Sequence, residues 1–361
     1  MRWQGIIHKY KKYFSISKKT PIVTLLEGNT PLIPAVNLSR EIHSGLEIYL
    51  KYEGLNPTGS FKDRGMTMAI SKAAEEGATA VMCASTGNTS ASAAAYAARC
   101  GMKCYVLLPH NSIALGKLAQ ASMHGAKTIA IRGNFDDALR FVVDITNHYD
   151  KAAGASVKLV NSINPFRIEG QKSGAFEVCD VLKRAPDYHA IPVGNAGNIC
   201  AYWAGYKNYY QDKKITSLPV MLGFQAAGAA PIVLGKPVAD PKTIATAIKI
   251  GNPASWKGAL TVVSESNGAI ESVTDEEILE AYKMLASLEG VFCEPASAAS
   301  LAGIIKKAKA GYFKKGSKKT VVCVLTGHGL KDPERAIEVS PKPILLEANQ
   351  NAILAEMGIN R

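Results

Sequence analysis

The clearest signal along the chain is a series of short, continuously apolar runs separated by longer segments of helical period. The runs fall at residues 79–83, 104–108, 128–131, 157–160, 190–193, 219–224 and 320–325. Continuously apolar strands, as opposed to alternating ones, are typical of parallel sheets covered on both faces. The pattern therefore predicts a buried strand at each of these positions.

Helices are predicted between these strands. Apolar spacing near 3.6, small-residue runs and closing glycines place them at residues 61–76, 88–99, 114–123, 135–149 and 170–183. A capping box, Thr274-Asp-Glu-Glu277, begins another helix that runs to about residue 288, and residues 345–357 have the pattern of an amphipathic helix. Helical crossovers between parallel strands predict an open, doubly wound α/β fold. Because one sheet rarely holds this many strands, we expect two lobes.

Composition excludes several classes of protein. The chain has 361 residues, of which 47% are hydrophobic and 20% charged, so it is not a disordered, coiled-coil or collagen-like chain. Its net charge of +12 is explained by nucleic-acid binding, or by solubility and affinity for small anions. The basic clusters at 9–19 and 306–319 do not interleave aromatics in the pattern of a nucleic-acid surface, although Tyr10, Tyr13 and Phe14 lie near the first, so we predict no nucleic-acid partner.

The remaining composition signals concern compartment and metals. The uncharged stretches at 78–98 and 215–235 contain too many polar, glycine and proline residues to span a membrane, and the N-terminus has no signal-peptide core. The seven cysteines are an odd number without a Cys-x-x-Cys pair, and the seven histidines are scattered. We therefore expect a cytoplasmic protein that neither binds a metal nor enters a membrane.

The segment Asn56-Pro-Thr-Gly-Ser-Phe-Lys-Asp-Arg-Gly65 has the most informative pattern. Pro57 and Gly59 form a turn and Ser60 is a natural N-cap, which places Lys62 in the first helical turn. The positive end of the helix dipole, together with desolvation, lowers the pKa of a lysine there and favours the neutral amine that Schiff-base chemistry needs. A lysine that extends into solvent without a function fits the local sequence equally well.

Three glycine-containing loops follow predicted strands, at the edge where α/β sheets bind ligands. Gly194-Asn-Ala-Gly-Asn198 can direct backbone N–H groups at a phosphate, although it has neither the Walker nor the dinucleotide pattern. Ser85-Thr-Gly-Asn-Thr89 suits a carboxylate, and Thr326-Gly-His-Gly329 ends the last strong strand. Local structure alone also explains each loop, as a tight turn, a capped helix start and a chain reversal.

Together these segments resemble the fold-type II enzymes that use pyridoxal phosphate, and within them the threonine synthase family. The segment around Lys62 is similar to the cofactor-lysine motif of that fold type. Glu27-Gly-Asn-Thr-Pro-Leu32 and Asn161-Ser-Ile-Asn-Pro-Phe-Arg167 are typical of the synthase branch. The resemblance implies a two-lobed architecture like that of tryptophan synthase β, with a large cofactor-binding domain over 1–56 and 155–361, a small domain over 57–154, and a homodimer.

The resemblance also implies a role for each candidate residue. Lys62 forms the Schiff base with the cofactor, pyridoxal 5'-phosphate, and later moves protons. Asn88 hydrogen-bonds the ring's 3-hydroxyl, and Thr326 meets the ring nitrogen, which a hydroxyl cannot hold protonated as a carboxylate would. The cofactor phosphate is held by Gly194, Asn195, Ala196, Gly197 and Asn198. The substrate is bound by Ser85, Thr86, Thr89, Asn161 and Arg167.

The implied reaction converts O-phospho-L-homoserine and water to L-threonine and phosphate, by γ-elimination and addition of water at the β-carbon. One mobile base suffices for the proton transfers, and Lys62 is the candidate. The guanidinium fork of Arg167 suits a phosphate, although a surface ion pair with Glu169 or Asp180 also explains it. The alternatives are a cysteate synthase, a serine or threonine dehydratase that uses the same cofactor and, as a non-enzyme, a basic RNA-binding protein.

Overall fold

The computed structural model describes residues 2–43, 45–110, 115–148, 156–314, 316 and 318–359. Its strands are β1 (Leu32–Pro34), β2 (Leu46–Tyr52), β3 (Ala80–Ala84), β4 (Lys103–Pro109), β5 (Lys127–Ile131), β6 (Val157–Leu159), β7 (Tyr188–Pro192), β8 (Val220–Ala226), β9 (Ala269–Val273) and β10 (Lys319–Leu325). Its helices are α1 (Ile6–Lys9), α2 (Val36–Ile42), α3 (Lys62–Glu75), α4 (Asn88–Arg99), α5 (Leu115–Met123), α6 (Phe135–His148), α7 (Pro165–Gln171), α8 (Ser173–Leu182), α9 (Gly197–Gln211), α10 (Pro231–Leu234), α11 (Trp256–Ser266), α12 (Asp275–Glu289), α13 (Pro295–Lys309), α14 (Pro333–Val339) and α15 (Gln350–Glu356).

The strands form two separate sheets. The larger has the order β1-β2-β10-β7-β8-β9 and the smaller the order β5-β4-β3-β6. All strand pairs are parallel except β1 with β2, which are antiparallel. The predicted α/β class and two-lobed architecture are therefore confirmed, with one antiparallel strand at the edge of the larger sheet.

Close packing of helices on both sheets explains the apolar strands. Every residue of β3 is buried, and six of the seven residues of β10 are buried. Helix α13 crosses the larger sheet on a face of alanine, serine and glycine. A Cβ added to Gly303 of this helix would lie 2.1 Å from the ring of Phe224 on β8. Small side chains on α13 thus let the helix pack directly against the sheet.

All seven predicted strands are present, with ends that differ from the prediction by at most two residues. The sequence pattern missed β1, β2 and β9. Strand β2 has the sequence Leu-Glu-Ile-Tyr-Leu-Lys-Tyr. Its two charges interrupt the apolar run, yet Lys51 is completely buried because other elements of the fold supply its partners.

The helix predictions need two corrections. The segment predicted as one helix over 170–183 forms two, α7 and α8, which meet at Lys172. The predicted helix over 345–357 is helical only from Gln350 to Glu356. The Thr274 capping box is confirmed, whereas residues 114 and 149 of two other predicted helices lie outside the described residues. No helix in the described ranges is long and apolar enough to cross a membrane.

The domain boundary predicted at residue 155 does not follow the sheets. Strand β6 pairs with β3 in the smaller sheet, through Ala80 opposite Val157. The last strand of the small lobe therefore lies inside the range that was expected for the large domain. The division of the chain into two domains stays a prediction, and the smaller sheet extends at least to residue 159.

Candidate active site

The four motifs predicted from the sequence come together where the two lobes meet. The loop of Ser85 follows β3, the loop of Gly194 follows β7 and Thr326 follows β10, so each lies at the carboxyl end of a parallel strand. The backbone N–H of Phe61 donates to the carbonyl of Thr326 at 3.0 Å. This bond joins the lysine motif of the small lobe to the central strand of the large one.

Lys62 is the first residue of α3, as predicted, but Ser60 is not its N-cap. Phe61 occupies the cap position, and the Ser60 hydroxyl accepts the N–H of Lys62 at 3.4 Å. Desolvation lowers the pKa of Lys62 to about 7, an effect that the positive charge of Arg167 reinforces and that of Glu294 opposes. A substantial fraction of Lys62 is therefore a neutral amine at neutral pH.

Two glycines let α3 and α7 approach closely enough to bring Arg167 near Lys62. A Cβ on Gly65 would lie 2.7 Å from the carbonyl oxygen of Arg167, and one on Gly170 would lie 1.9 Å from the carbonyl oxygen of Arg64. Neither distance is tolerated by a side chain. Gly65, the last residue of the lysine motif, is thus required for the helix pair that carries both cations.

A buried cluster of four charges fixes the first turn of α3. Arg64 donates to Glu53 at 2.6 Å and to Glu177 at 2.7 Å, and Lys51 donates to Glu177 at 2.7 Å. At most 6% of any of these side chains is exposed. Their formal charges cancel, as burial requires. The cluster joins α3 to β2 and α8 only two residues after Lys62.

Arg167 is a buried cation without a carboxylate partner among the described residues. It is 1% exposed, one terminal nitrogen donates to the carbonyl of Val160 at 3.1 Å, and its Nε has no partner there. Burial lowers the pKa of its guanidinium to about 10. The surface ion pair considered from the sequence is wrong, since Glu169 contacts Ser15 and Lys172, while Asp180 binds two tyrosines. A buried cation with this environment suits an anionic ligand.

The loop after β7 has unsatisfied polar groups of the kind that bind a phosphate. Both polar side-chain atoms of Asn198 are buried and have no partner in the described chain. Ala196, the N-cap of α9, has a left-handed φ of 63°, while the Asn195 carbonyl accepts the N–H of Ser255 at 3.0 Å. A Cβ on Gly197 would come no closer to a neighbour than 3.7 Å, at Ser255. Neither packing nor an unusual φ therefore requires a glycine at 197.

Asn88 and Thr326 are linked by a residue that the sequence analysis missed. Asn88, the first residue of α4, donates to Glu294 Oε2 at 2.9 Å, and the Thr326 hydroxyl donates to Oε1 at 3.0 Å. Glu294 is the N-cap of α13 and is buried. The available signal was a carboxylate directly before Pro295 at a helix start, which sequence reasoning treats as an ordinary cap.

Of the other predicted substrate residues, three lie at the start of α4 and Asn161 follows β6. Ser85 and Thr86 are half-buried and Thr89 is buried. Asn161 is buried, and its amide both accepts the N–H and donates to the carbonyl of Ala84, each at 2.9 Å. The geometry therefore places Asn161 as a support of this loop, with its amide bonded to the end of β3.

Comparison with known proteins agrees with this geometry. The sequence model of the pyridoxal-phosphate dependent enzymes matches residues 23–327, and the chain belongs to that family. It is 57% identical to the threonine synthase of Halalkalibacterium halodurans, over 98% of this chain and 97% of that protein, and 58% identical to the threonine synthase of Synechocystis sp., over 94% and 86%. The chain is thus a member of the threonine synthase family. A solved threonine deaminase from Solanum lycopersicum shares the fold, with a TM-score of 0.73 at 20% identity over 87% of this chain and 88% of that one.

Family membership makes pyridoxal 5'-phosphate the cofactor, and the site fits this group. Lys62 offers an amine of lowered pKa to an aldehyde. The unpartnered amide of Asn198 and the helix start beside it suit a phosphate. In the described part of the chain, no group of three or more His, Cys, Asp or Glu side chains is arranged to hold a metal ion.

Proposed function

We propose that this chain converts O-phospho-L-homoserine and water to L-threonine and phosphate. The observation that carries the proposal is the buried guanidinium of Arg167, a cation in addition to the loop at 194–198. The loop suits the cofactor phosphate, and the guanidinium, which has no carboxylate partner among the described residues, lies close enough to Lys62 to lower its pKa. An enzyme that removes water from serine or threonine has no use for a second buried cation. A substrate whose own phosphate leaves does have such a use.

Lys62 acts as the mobile base. When bound, pyridoxal phosphate supplies an aldehyde that captures amino groups and an electron-withdrawing ring that acidifies the adjacent carbons. With a pKa of about 7, the Lys62 amine is available in both protonation states near neutral pH. It can therefore remove a proton at the substrate's α-carbon and then at its β-carbon, and return one later.

The remaining residues bind and orient the ligands. Arg167 binds the substrate phosphate and stabilises its charge as it departs. Ser85, Thr86 and Thr89 bind the carboxylate or the phosphate of the substrate, and Asn161 holds their loop in place. Gly194, Asn195, Ala196, Gly197 and Asn198 hold the cofactor phosphate, while Asn88 and Thr326 bind its ring.

Release of inorganic phosphate from O-phospho-L-homoserine, with threonine identified by chromatography, tests the reaction. We expect turnover in the wild type and none in Lys62→Ala with an unchanged circular dichroism spectrum. Substantial activity of Lys62→Ala without added amine would refute the role of Lys62. Faster turnover of O-phosphoserine would indicate a cysteate synthase, and faster turnover of serine or threonine a dehydratase.

The family resemblance further leads us to propose that the chain acts as a homodimer in the cytoplasm. Light scattering coupled to size-exclusion chromatography tests the first point, and cell fractionation the second. A monomer with full activity would contradict the dimer, and activity confined to a membrane fraction would contradict the location.

A further inference from the structure

The tail of the chain, by which we mean residues 340–359, buries none of its side chains. Residues 341–351 are all exposed, and only two positions of α15, Ala352 and Leu354, are half-buried. Within the described ranges, every hydrogen bond of the tail joins groups at most five positions apart. The tail is therefore held by its own local structure, without support from the two lobes.

The tail nevertheless has the composition of a contact surface. Its exposed apolar side chains include a run of three and a second group on and after α15, namely Ile344, Leu345, Leu346, Ile353, Met357 and Ile359. Leu345 is 97% exposed. Clustered apolar side chains in water mark interaction sites. Pro341 and Pro343 stiffen the segment before α15 in an extended form, so little conformational entropy is lost when the tail docks.

A second exposed apolar surface lies beside the candidate active site. It consists of Leu55, directly before the lysine motif, and Leu330, on the turn after β10, and we call this pair the rim patch. The two side chains are 58% and 68% exposed. Their segments adjoin, because a Cβ on Gly54 would lie 2.8 Å from the backbone nitrogen of His328. The lysine motif and the loop of the last strand thus share one apolar edge.

We propose that the tail of one protomer docks on the rim patch of its partner, so that each active site is bordered by a second copy of the chain. This inference rests on the homodimer of the proposed function. Two-fold symmetry favours this occupant, since an exchange of tails covers the tail and the rim patch of both protomers at once.

Length and area agree with a second copy as the occupant. The ten residues of the tail before α15 can span roughly 30 Å, which is enough to leave one protomer and reach another. An interface of standard size takes about 20–30 residues from each side. Each protomer contributes the twenty residues of its tail and the surroundings of its rim patch, so the exchange by itself provides an interface of that size.

Photo-crosslinking of the holoenzyme tests the contact. A benzophenone amino acid in place of Leu345 should give a covalent dimer on a denaturing gel, joined to a peptide that contains Leu55 or Leu330. The matched control has the same amino acid in place of Leu260, which is 49% exposed on α11 and should not join to the rim patch. A product of monomer mass would show that the tail contacts its own chain, and it would overturn the inference. No product, or one with another surface or a foreign protein, would overturn it too.

Charged substitutions measure the strength of the contact. Leu345→Asp and Leu330→Asp should each weaken dimerisation roughly tenfold to a hundredfold in analytical ultracentrifugation, because an apolar contact is lost. Leu260→Asp should leave dimerisation unchanged. Leu330→Lys added to Leu345→Asp places opposite charges across the interface and should restore part of the affinity. Unchanged dimerisation in both Asp variants would refute the docking of the tail.

Failure of this inference is distinguishable from failure of the proposed function. A monomeric wild type overturns the exchange of tails together with the homodimer. A dimer in which the crosslink from position 345 avoids the rim patch overturns the exchange of tails alone. Phosphate release from O-phospho-L-homoserine, measured on the same preparation, reports on the reaction whichever of these results is found.

Discussion

Replacing Arg167 by Met should remove activity toward the phosphorylated substrate without destabilising the protein. Arg167 is 1% exposed, and within the described ranges its side chain makes a single hydrogen bond, to the Val160 carbonyl. Methionine retains much of its volume and needs no partner. Because the guanidinium lacks a carboxylate partner among the described residues, the free enzyme bears the cost of its burial.

The magnitudes follow from the structure. Burial lowers the pKa of Arg167 from 12.5 to about 10, which at 1.36 kcal/mol per pKa unit corresponds to roughly 3 kcal/mol of unfavourable free energy. Loss of the Val160 hydrogen bond costs about 1–3 kcal/mol, since a buried carbonyl is left unsatisfied. The two effects nearly cancel, so the free energy of unfolding should stay the same or rise. In the complex with the substrate, loss of the charged contact between Arg167 and the substrate phosphate costs roughly 2–5 kcal/mol. This corresponds to a decrease of about 30-fold to several-thousand-fold in kcat/KM.

The assay compares two substrates and two arginines. In Arg167→Met and Arg167→Lys, kcat/KM for phosphate release from O-phospho-L-homoserine should fall steeply. Any deamination of serine, which has no phosphate, should fall far less, because it loses only the effect of Arg167 on the pKa of Lys62. Arg64→Met is the matched control, because Arg64 is equally buried but paired with Glu53 and Glu177. That variant should lose roughly 3–5 kcal/mol of stability. Equal losses on both substrates, or a destabilised Arg167→Met, would refute the reasoning.

Three further predictions concern Lys62, Gly197 and Glu177. The cofactor-free protein should capture a small aldehyde at Lys62, and borohydride trapping followed by mass spectrometry locates the product. The yield should rise with pH around a midpoint near 7, because that is the pKa of Lys62. A midpoint near 10 would contradict the argument that desolvation lowers this pKa. Gly197→Val should lower the affinity for pyridoxal phosphate, measured by fluorescence titration, with little change in the melting temperature. In Gly303→Val the added Cβ would meet Phe224 at 2.1 Å, so this variant should lower the melting temperature more than the affinity. Glu177→Gln should cost roughly 3–5 kcal/mol at pH 7. Although burial acts to raise the pKa of Glu177, Arg64 and Lys51 lower it to about 2, so its contribution is present above pH 4.5 and is lost toward pH 2. The difference in denaturation midpoint between Glu177→Gln and the wild type should accordingly shrink over that range, and a constant difference would count against the ion cluster.

The local sequence was sufficient to predict the buried strands, most of the helices and the position of Lys62 in the first turn of a helix. Short continuous apolar runs between turn residues are typical of strands covered on both faces, so β3, β4 and β10 were predictable from the local sequence pattern. The turn at Pro57 and Gly59 ends where α3 begins, and this placed Lys62 in the first helical turn. These features depend on residues that are neighbours in the chain, and no distant contact is needed to specify them.

The lowered pKa of Lys62, the burial of Arg167 and the hydrogen bonds of Glu294 were decided by tertiary structure. From the sequence, Arg167 was favoured as a ligand-binding residue, but a surface pair with Glu169 or Asp180 stayed open. Only the close packing of α3 on α7, allowed by Gly65 and Gly170, buries it without a carboxylate among the described residues. Glu294 follows Asn88 by more than 200 residues, and their hydrogen bond exists because α4 and α13 begin at the same place between the lobes. Charge and hydrogen-bonding partners depend on distances in space, and a local pattern carries no information about groups that the fold brings together from far along the chain.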